Sequence, residues 1–293
     1  MKILITGGAG FIGKNLNELL GDKYNIVAPN SKELDLLDSQ KVFDYIKTGK
    51  FDVIIHAATW NATRNSKKDT TLVLGCNCKM FFNIARCGAH YGKMIYYGSG
   101  AEYDREHWLP KMREEYFDKY VPQDLYGFSK YVMRKYAEKT ENIYNLCVFG
   151  VYGKYEDWEI RFISNACCKA VYDMPITIKQ DVFIDYLHVE DLARITDWFM
   201  ENTPRGKSYN ICTGRTTDLK DLAEKVKRIS NKRLEIHIKM KGVGVEYSGD
   251  NSRLISEIGD YKFKGLEEGI YDLYNWYAMK KHMIDKEKVL IDK

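Results

Sequence analysis

A short apolar strand that runs straight into a glycine-rich turn constrains this chain more than any other feature. The strand is KILIT at residues 2–6, and the following TGGAGFIG places Gly7, Gly10 and Gly13 three residues apart at the start of a helix. Residues without a Cβ let the backbone turn tightly and approach a pyrophosphate, while the helix N-terminus offers unpaired N–H groups. The pattern predicts a dinucleotide site that contains Gly7, Gly10, Phe11, Ile12 and Gly13.

Short apolar strands and helical patterns alternate through the first half of the chain. Strands are predicted at 25–29, 52–58, 93–99 and 144–153, with helices at 14–21, 39–49 (Ser39 as its N-cap) and 76–92. Continuous apolar strands of this kind form parallel sheets covered by helices on both faces. We therefore predict an α/β fold, a Rossmann-type doubly wound parallel sheet.

The alternation of strands and helices loosens from about residue 165. We predict a dinucleotide-binding domain at 1–165 and a smaller C-terminal α+β substrate lobe at 166–293. The stretch 182–200 looks like a strand and helix that pack back on the first domain.

Composition excludes several functional classes. The net charge of +4 is mild and scattered, which gives no indication of nucleic-acid binding, and no apolar run has the roughly 20 residues of a membrane span. The N-terminus does not resemble a signal peptide, and the seven cysteines have neither CxxC nor zinc-ligand spacing. We expect a cytoplasmic protein without disulfides, a bound metal or a membrane partner.

The residues after the second strand bear on the choice of dinucleotide. NAD sites place an acid here to bond the ribose 2′-OH. This chain has Asn30, Ser31 and Lys32, with no acid before Glu33. An amide, a hydroxyl and an ammonium suit a 2′-phosphate, so the sequence favours NADP, with NAD possible.

Eight motifs together resemble those of the extended short-chain dehydrogenases/reductases that act on nucleotide-activated sugars. They are TGGAGFIG, LDLLD, DVIIHAA, Asn77, YYGSGAEY, YGFSK, VFGVYG and DYLHVEDLA, in this order. The resemblance implies that Asp35 and Leu36 flank the adenine, that Ala57, Ala58 and Asn77 belong to the cofactor site, and that Ser99 hydrogen-bonds the reacting sugar oxygen. It also implies a homodimer joined through a four-helix bundle.

Tyr126 and Lys130 stand one helical turn apart in YGFSK and therefore lie on one helix face. An ammonium at that position favours the phenolate, so the tyrosine can exchange a proton with a sugar oxygen while hydride moves. In the family that the motifs resemble, the lysine also holds the nicotinamide ribose. Tyr126, Lys130 and Ser99 are the predicted catalytic residues.

The chemistry of that family divides into three branches. Dehydratases carry Asp-Glu after the catalytic Ser, where this chain has Gly100 and Ala101, and we expect Glu102 to point away on a strand-like segment. Epimerases with tightly bound NAD usually carry the missing acid after the second strand. The pattern is closest to ketoreductases of the GDP-fucose synthase type, although Ala101 replaces an epimerising Cys, Gly150 replaces an Asn and no His stands near Arg161.

The favoured function is NADPH-dependent reduction of a 4-keto-sugar nucleotide. An NAD-dependent nucleotide-sugar 4-epimerase is one alternative, and a non-catalytic NADP-binding sensor or scaffold is another. The substrate is expected to be a nucleoside-diphosphate sugar. Its predicted contacts are Ser99, Gly100 and Tyr126 at the sugar and Lys154, Arg161 and Arg253 at the diphosphate.

Overall fold

The computed structural model describes residues 1–60, 63 and 65–290. The strands are, in chain order, β1 (Lys2–Thr6), β2 (Asn25–Val27), β3 (Phe51–His56), β4 (Tyr91–Ser99), β5 (Ile143–Val148), β6 (Gly150–Tyr152), β7 (Ile176–Asp181), β8 (Phe183–Ile184), β9 (Tyr186–His188), β10 (Ser208–Ile211), β11 (Thr217–Asp218) and β12 (Ile236–Val243). The helices are α1 (Phe11–Leu20), α2 (Ser39–Gly49), α3 (Val73–Ala85), α4 (Leu125–Ala137), α5 (Phe162–Val171), α6 (Val189–Glu201), α7 (Leu219–Ser230), α8 (Ser252–Ile258), α9 (Leu266–Met279) and α10 (Lys286–Leu290).

A six-stranded parallel sheet in the order β10-β5-β4-β3-β1-β2 forms the centre of the molecule. Alternate residues of β1 point to opposite faces: Ile3 and Ile5 pack with α1 and α6, whereas Leu4 packs with α2, α3 and α4. All three side chains are fully buried. Because both faces are covered, the strands are apolar without alternation, and the predicted α/β fold is confirmed.

The predicted strand at 144–153 divides into two strands that belong to different sheets. β5 ends in the central sheet at Val148, and β6 pairs instead with β9 in parallel, Gly150 opposite Tyr186. A Cβ on Gly150 would lie 2.5 Å from the Asp185 carbonyl oxygen, so glycine permits this close approach. The change of partner turns the chain out of the central sheet just past the end of β5.

A second hydrophobic cluster lies among α5, α7 and α9 and includes Cys167, Leu222, Ile270 and Tyr277. It packs beside the parallel pair of β7 and β12. α6, by contrast, buries Leu192 in the cluster of the central sheet. The domain boundaries at 165 and 182–200 stay a prediction. No helix in the described part of the chain is both long enough and apolar enough to cross a membrane.

The bounds of α1 and α3 and the N-cap of α2 differ from the sequence prediction, and α1 begins at Phe11 rather than at 14. α3 runs from Val73 to Ala85 rather than from 76 to 92, and a short 3₁₀ turn at Gly88–His90 leads into β4. α2 is capped by Asp38, not Ser39: the Asp38 carboxylate accepts hydrogen bonds from the backbone N–H groups of Gln40 and Lys41. Asp38 has the extended backbone that an N-cap requires, whereas Ser39 is already helical.

Replacing Asp38 with Ala should lower the free energy of unfolding by about 1 kcal/mol, because two backbone N–H groups lose their acceptor. Asp38→Asn is the matched control, since an amide oxygen caps nearly as well and its effect should be only a few tenths of a kcal/mol. Urea unfolding of both variants measures the difference. Equal stability of the two variants would contradict the assignment of the cap.

His56 ends β3 as a buried neutral histidine. Its Nδ1 lies 2.8 Å from the Thr6 hydroxyl, and its ring stacks on Tyr96 with centroids 5.8 Å apart. Burial, helped by the charge of Lys130, lowers the pKa of His56 to about 3. An unfolded histidine has a pKa of about 6.5, so protons favour the unfolded state as soon as the pH falls below that value.

The contribution of His56 to stability should therefore be complete above pH 6.5 and should decline as the pH falls toward 3. The expected slope is about 1.4 kcal/mol per pH unit, or roughly 2 kcal/mol between pH 6.5 and 5. His56→Asn keeps a hydrogen-bonding group near Thr6 and should remove that slope in urea unfolding measured at both pH values. His237→Asn, at an exposed histidine, serves as the control, and an unchanged pH dependence in His56→Asn would disprove the effect.

Candidate functional site

The turn after β1 is held open by its glycines. Gly7 has a φ of +77°, and a Cβ there would lie 2.7 Å from the Ala58 backbone nitrogen, while a Cβ on Gly13 would lie 2.4 Å from the Gly7 carbonyl oxygen. Gly10 is exposed, and a Cβ there would have only the Gly7 oxygen near it, at 3.2 Å. Packing within the protein therefore requires glycine at 7 and 13, and Gly10 leaves room for a ligand to approach.

The N-terminus of α1 opens into this space. Its first residues are Phe11, Ile12 and Gly13, and the N-cap, Gly10, provides no side-chain hydrogen bond. The first turn contains no acidic residue. The free N–H groups and the positive end of the helix dipole are therefore available to an anion.

The loop after β2 is a turn that caps itself. The side-chain oxygen of Asn30 accepts hydrogen bonds from the N–H groups of Lys32 and Glu33, and the Glu33 carboxylate accepts one from the Asn30 N–H. Ser31 and Lys32 are both exposed. The turn therefore presents a hydroxyl and an ammonium to solvent, and its one acid is folded back on the backbone.

The next two predicted adenine contacts differ in exposure. Asp35 is exposed, and its side chain accepts a hydrogen bond from the Leu37 N–H at 2.9 Å. Leu36 is buried, and its carbonyl accepts a hydrogen bond from the Asn83 amide at 2.8 Å.

Asn77 carries a buried amide that the protein satisfies only in part. Its oxygen accepts hydrogen bonds from the Trp60 N–H at 2.7 Å and the Thr59 hydroxyl at 3.2 Å. The described residues provide no partner for its Nδ2, although Asn77 is only 3 % exposed. Ala57 and Ala58 precede Thr59 and lie beside the glycine turn, because the Ala57 N–H donates to the Thr6 carbonyl. The Asn77 Nδ2 donor is therefore available for a hydrogen bond to a bound cofactor.

Tyr126 and Lys130 lie on α4 against the end of β4. The Lys130 ammonium is 5.7 Å from the centre of the Tyr126 ring and donates to the Tyr97 carbonyl at 2.8 Å. Lys130 is 5 % exposed, and Tyr126 is half-buried. Gly127, in the first turn of α4, allows the helix to approach the segment after β4, because a Cβ there would lie 2.6 Å from the Ala101 carbonyl oxygen. α4 therefore begins directly on the turn that follows Ser99.

That turn is a 3₁₀ helix, Gly100–Glu102, and not the strand-like segment predicted from the sequence. Ser99 caps it, since the Ser99 hydroxyl oxygen accepts the Ala101 N–H at 3.2 Å. Glu102 does not point away from Ser99: its carboxylate accepts the Ser99 N–H at 3.0 Å. The reciprocal cap stops the strand here and turns Glu102 back under Ser99.

Tyr247 reaches the site from the C-terminal half, and the sequence analysis missed it. Its ring packs against Trp108 and Phe149, with centroids 4.5 and 5.1 Å away. A Cβ on Gly100 would lie 2.6 Å from the Tyr247 hydroxyl, which also interacts with the Ser99 side chain. Burial raises the pKa of Tyr247, so the phenol stays protonated beside Ser99. The glycine after Ser99 was the available signal, since a missing side chain leaves room for another residue.

The three predicted diphosphate ligands have partners outside this cluster. Lys154 pairs with Glu18 of α1 at 3.1 Å, and its carbonyl accepts a hydrogen bond from Asn15. Arg161 is exposed at the start of α5, where its positive charge opposes the rise in the pKa of Glu156 that burial causes. Among the contacts of the described residues, none joins Lys154 or Arg161 to Ser99 or Tyr126.

Arg253 pairs with residues of another segment. Its guanidinium pairs with Glu115 at 2.6 Å and donates to the carbonyl of Ser208, the first residue of β10. The register of the sheet puts Ser208 level with Tyr96, three residues before Ser99. That is about 10 Å along the strand direction, and a contact between Arg253 and the substrate diphosphate stays a prediction.

Two histidines have structural partners. His56 bonds to Thr6 inside the sheet, and His188 caps α6 by accepting the Glu190 N–H. Burial lowers the pKa of His188 to about 4, so it is neutral at physiological pH. The described residues contain no group of three or more His, Cys, Asp or Glu side chains that could hold a metal ion.

Comparison with known proteins gives relatives that match most of the chain. It is 25 % identical over 316 residues to GDP-L-colitose synthase of Yersinia pseudotuberculosis, which covers 96 % of this chain and 99 % of the relative. GDP-mannoheptose C4 reductase of Campylobacter jejuni, solved with NADP bound, superposes with a TM-score of 0.82 at 22 % identity, covering 94 % of this chain and 98 % of the other. UDP-glucose 4-epimerase of Thermotoga maritima superposes with a TM-score of 0.81 at 21 % identity, covering 97 % of this chain and 100 % of the other.

The model of one protein family matches residues 3–212, which include the glycine turn, Ser99 and the helix with Tyr126 and Lys130. That match spans more than half of the chain. The chain therefore belongs to the NAD dependent epimerase/dehydratase family, an enzyme family, as its motifs predicted.

Proposed function

We propose that this protein reduces a 4-keto-sugar nucleotide with NADPH. The observation that carries the proposal is that Tyr126, Lys130 and Ser99 lie together at one edge of the sheet. They do so because the first turn of α4 packs against the turn after Ser99. The GDP-sugar reductase from Campylobacter jejuni, which is similar along nearly the whole chain and is solved with NADP, supports the same chemistry.

The residues fit a nicotinamide cofactor. Gly10 and the first N–H groups of α1 would hold its pyrophosphate, and the spare Asn77 Nδ2 would donate a hydrogen bond to it. When bound, the reduced cofactor supplies the hydride for the carbonyl carbon. Lys130 would bond the ribose next to the nicotinamide, as the family resemblance implies.

Ser99 and Tyr126 would bind and protonate the carbonyl oxygen of the substrate. The Ser99 hydroxyl oxygen already accepts the Ala101 N–H, so its hydrogen is available to donate to the sugar oxygen. Tyr126 would give its proton to that oxygen as negative charge develops, and Lys130 would stabilise the phenolate that remains. The net change is a carbonyl converted to an alcohol, with one proton taken from Tyr126 and restored from water.

The residues that follow Ser99 in the chain favour reduction over epimerisation and dehydration. Ala101, buried beside it, has no group that could move a proton. Glu102, the nearest acid along the chain, is committed to the Ser99 N–H and to Arg134. The diphosphate contacts predicted for Lys154, Arg161 and Arg253 stay a proposal, as does a homodimer formed through a four-helix bundle to which α4 contributes.

The direct experiment is NADPH oxidation, followed by its absorbance, with a GDP-linked 4-keto-sugar such as GDP-4-keto-6-deoxymannose. A dTDP-linked 4-keto-sugar provides the comparison for the nucleotide. Loss of NADPH with formation of the corresponding alcohol is the expected result. Interconversion of UDP-glucose and UDP-galactose without net NADPH consumption would instead establish the epimerase.

Replacing Tyr126 with Phe should lower kcat by about 10²–10⁴-fold and leave cofactor affinity nearly unchanged, because only the proton donor is lost. Lys130→Ala should weaken both kcat and cofactor binding, since one ammonium serves the ribose and the phenol. Tyr131→Phe, five residues further along the same helix, is the control and should keep normal kcat. Steady-state kinetics and cofactor titration separate the three outcomes, and normal turnover by Tyr126→Phe would rule out its role.

The turn after β2 should make the protein prefer NADP, and the preference should shrink as salt rises. Lys32→Ala should erode it by about 1–3 kcal/mol, as expected for a charge-assisted hydrogen bond to the 2′-phosphate. Ser31→Asp should move selectivity toward NAD. Calorimetric titration with both dinucleotides measures this, with Lys41→Ala as the control for loss of an exposed lysine. Equal affinity for NAD, or NAD held tightly through purification, would contradict the prediction.

A further inference from the structure

A buried ion pair lies directly beneath Ser99. The Arg134 guanidinium is 1 % exposed and donates to the Glu102 carboxylate, 0 % exposed, at 3.3 Å. Arg134 also bonds Glu138 at 2.9 Å. Burial raises the pKa of Glu102, whereas Arg134 and the Ser99 N–H oppose that rise by stabilising the carboxylate.

The Glu102 carboxylate joins three elements of the site. One oxygen accepts the Ser99 N–H at the end of β4, at 3.0 Å. The other accepts from Arg134 of α4 and from the Asn145 amide of β5, the latter at 3.0 Å. A single side chain therefore fixes the backbone of Ser99 with respect to both the helix and the neighbouring strand.

The backbone before Ser99 is shaped around that carboxylate. A Cβ on Gly98 would lie 1.8 Å from the Glu102 oxygen that accepts the Ser99 N–H. Any larger residue at 98 would have to push the carboxylate away. Glycine at this position thus reserves the space that Glu102 fills.

Arg134 lies two helical turns after Tyr126, with Lys130 between them, so all three share one face of α4. Lys130 bonds the Tyr97 carbonyl, two residues before Ser99, and Arg134 reaches the carboxylate that holds the Ser99 N–H. The helix that carries Tyr126 is therefore tied to β4 at Tyr97, before Ser99, and to the turn after Ser99 at Glu102.

We infer that Glu102 and Arg134 are positioning residues, which hold the Ser99 hydroxyl at the place where it meets the substrate oxygen next to Tyr126. This inference rests on the proposed function of Ser99. Neither residue touches the reacting atoms, and each acts through the Ser99 backbone. The alternative is that the pair only stabilises the fold.

The two explanations separate when the ion pair is replaced as a unit. Exchanging a buried pair for apolar residues of similar volume often leaves stability unchanged, whereas removing one partner strands a charge. The double variant Glu102→Leu with Arg134→Met should therefore fold and bind NADPH as the wild type does. Its kcat with the 4-keto-sugar nucleotide should fall about 10- to 100-fold, because Ser99 loses its alignment.

Three comparisons make the result specific. Glu138→Gln removes the other carboxylate partner of Arg134 without touching Ser99 and should keep normal kcat. In a Ser99→Ala background the double replacement should cause no further loss, since there is no hydroxyl left to position. Amide hydrogen exchange of the peptide 98–103 should accelerate in the double variant and stay as in wild type in Glu138→Gln.

Wild-type kcat in the folded double variant would overturn the inference, and so would an equal additional loss in the Ser99→Ala background. Should the double variant not fold, Gly98→Ala displaces the same carboxylate while keeping both charges. It should show the same fall in kcat, and normal kcat would overturn the inference. Failure of the proposed function would look different, because Ser99→Ala alone would then leave turnover unchanged, or no 4-keto-sugar would be reduced at all.

Discussion

The site depends on places where one backbone segment lies directly against another. A Cβ on Gly7 would come within 2.9 Å of three backbone atoms of Ala57 and Ala58, and one on Gly13 would lie 2.4 Å from the Gly7 oxygen. Gly127 makes the same kind of contact with the Ala101 carbonyl at the start of α4. These approaches set the height of two helix N-termini above the sheet, and Tyr126 and Lys130 take their positions from the second of them.

Burial then decides which groups behind the site are charged. His56 stays neutral at physiological pH, because burial and the neighbouring Lys130 lower its pKa to about 3. The Lys130 ammonium donates to the Tyr97 carbonyl and lies over the Tyr96 ring, 4.7 Å from its centroid. His56 therefore does not neutralise Lys130, and the buried carboxylate on which the Lys130 charge acts is Glu102.

The sequence predicted what short-range patterns control. The glycine spacing located the turn between β1 and α1, and Tyr126 and Lys130 were assigned to one helix face from their spacing alone. The strand that was expected to run from 144 to 153 splits because Gly150 changes partners, a contact with Asp185 that no local pattern reveals. Glu102 was predicted to point away from Ser99 for a related reason. Ser99 caps the 3₁₀ turn that contains Glu102, and whether a serine acts as a cap depends on its backbone geometry. Arg253 was chosen for its chemistry, and its contact with a diphosphate stays a prediction; its glutamate partners come from residues far away in the chain.

The position of Tyr247 has a consequence for how the molecule comes to be active. Its hydroxyl lies against Ser99 and Gly100, although more than half of the chain separates it from the glycine turn of the cofactor site. Contacts between residues so distant in the chain close large loops and tend to form late in folding. The hydrophobic cluster on one face of the central sheet, whose buried residues run from Leu4 to Ile143, can therefore form before the sugar half of the site exists. On this order of events, a nascent chain would gain the ability to hold a dinucleotide first and the complete surroundings of Ser99 only when the segment around Tyr247 has docked.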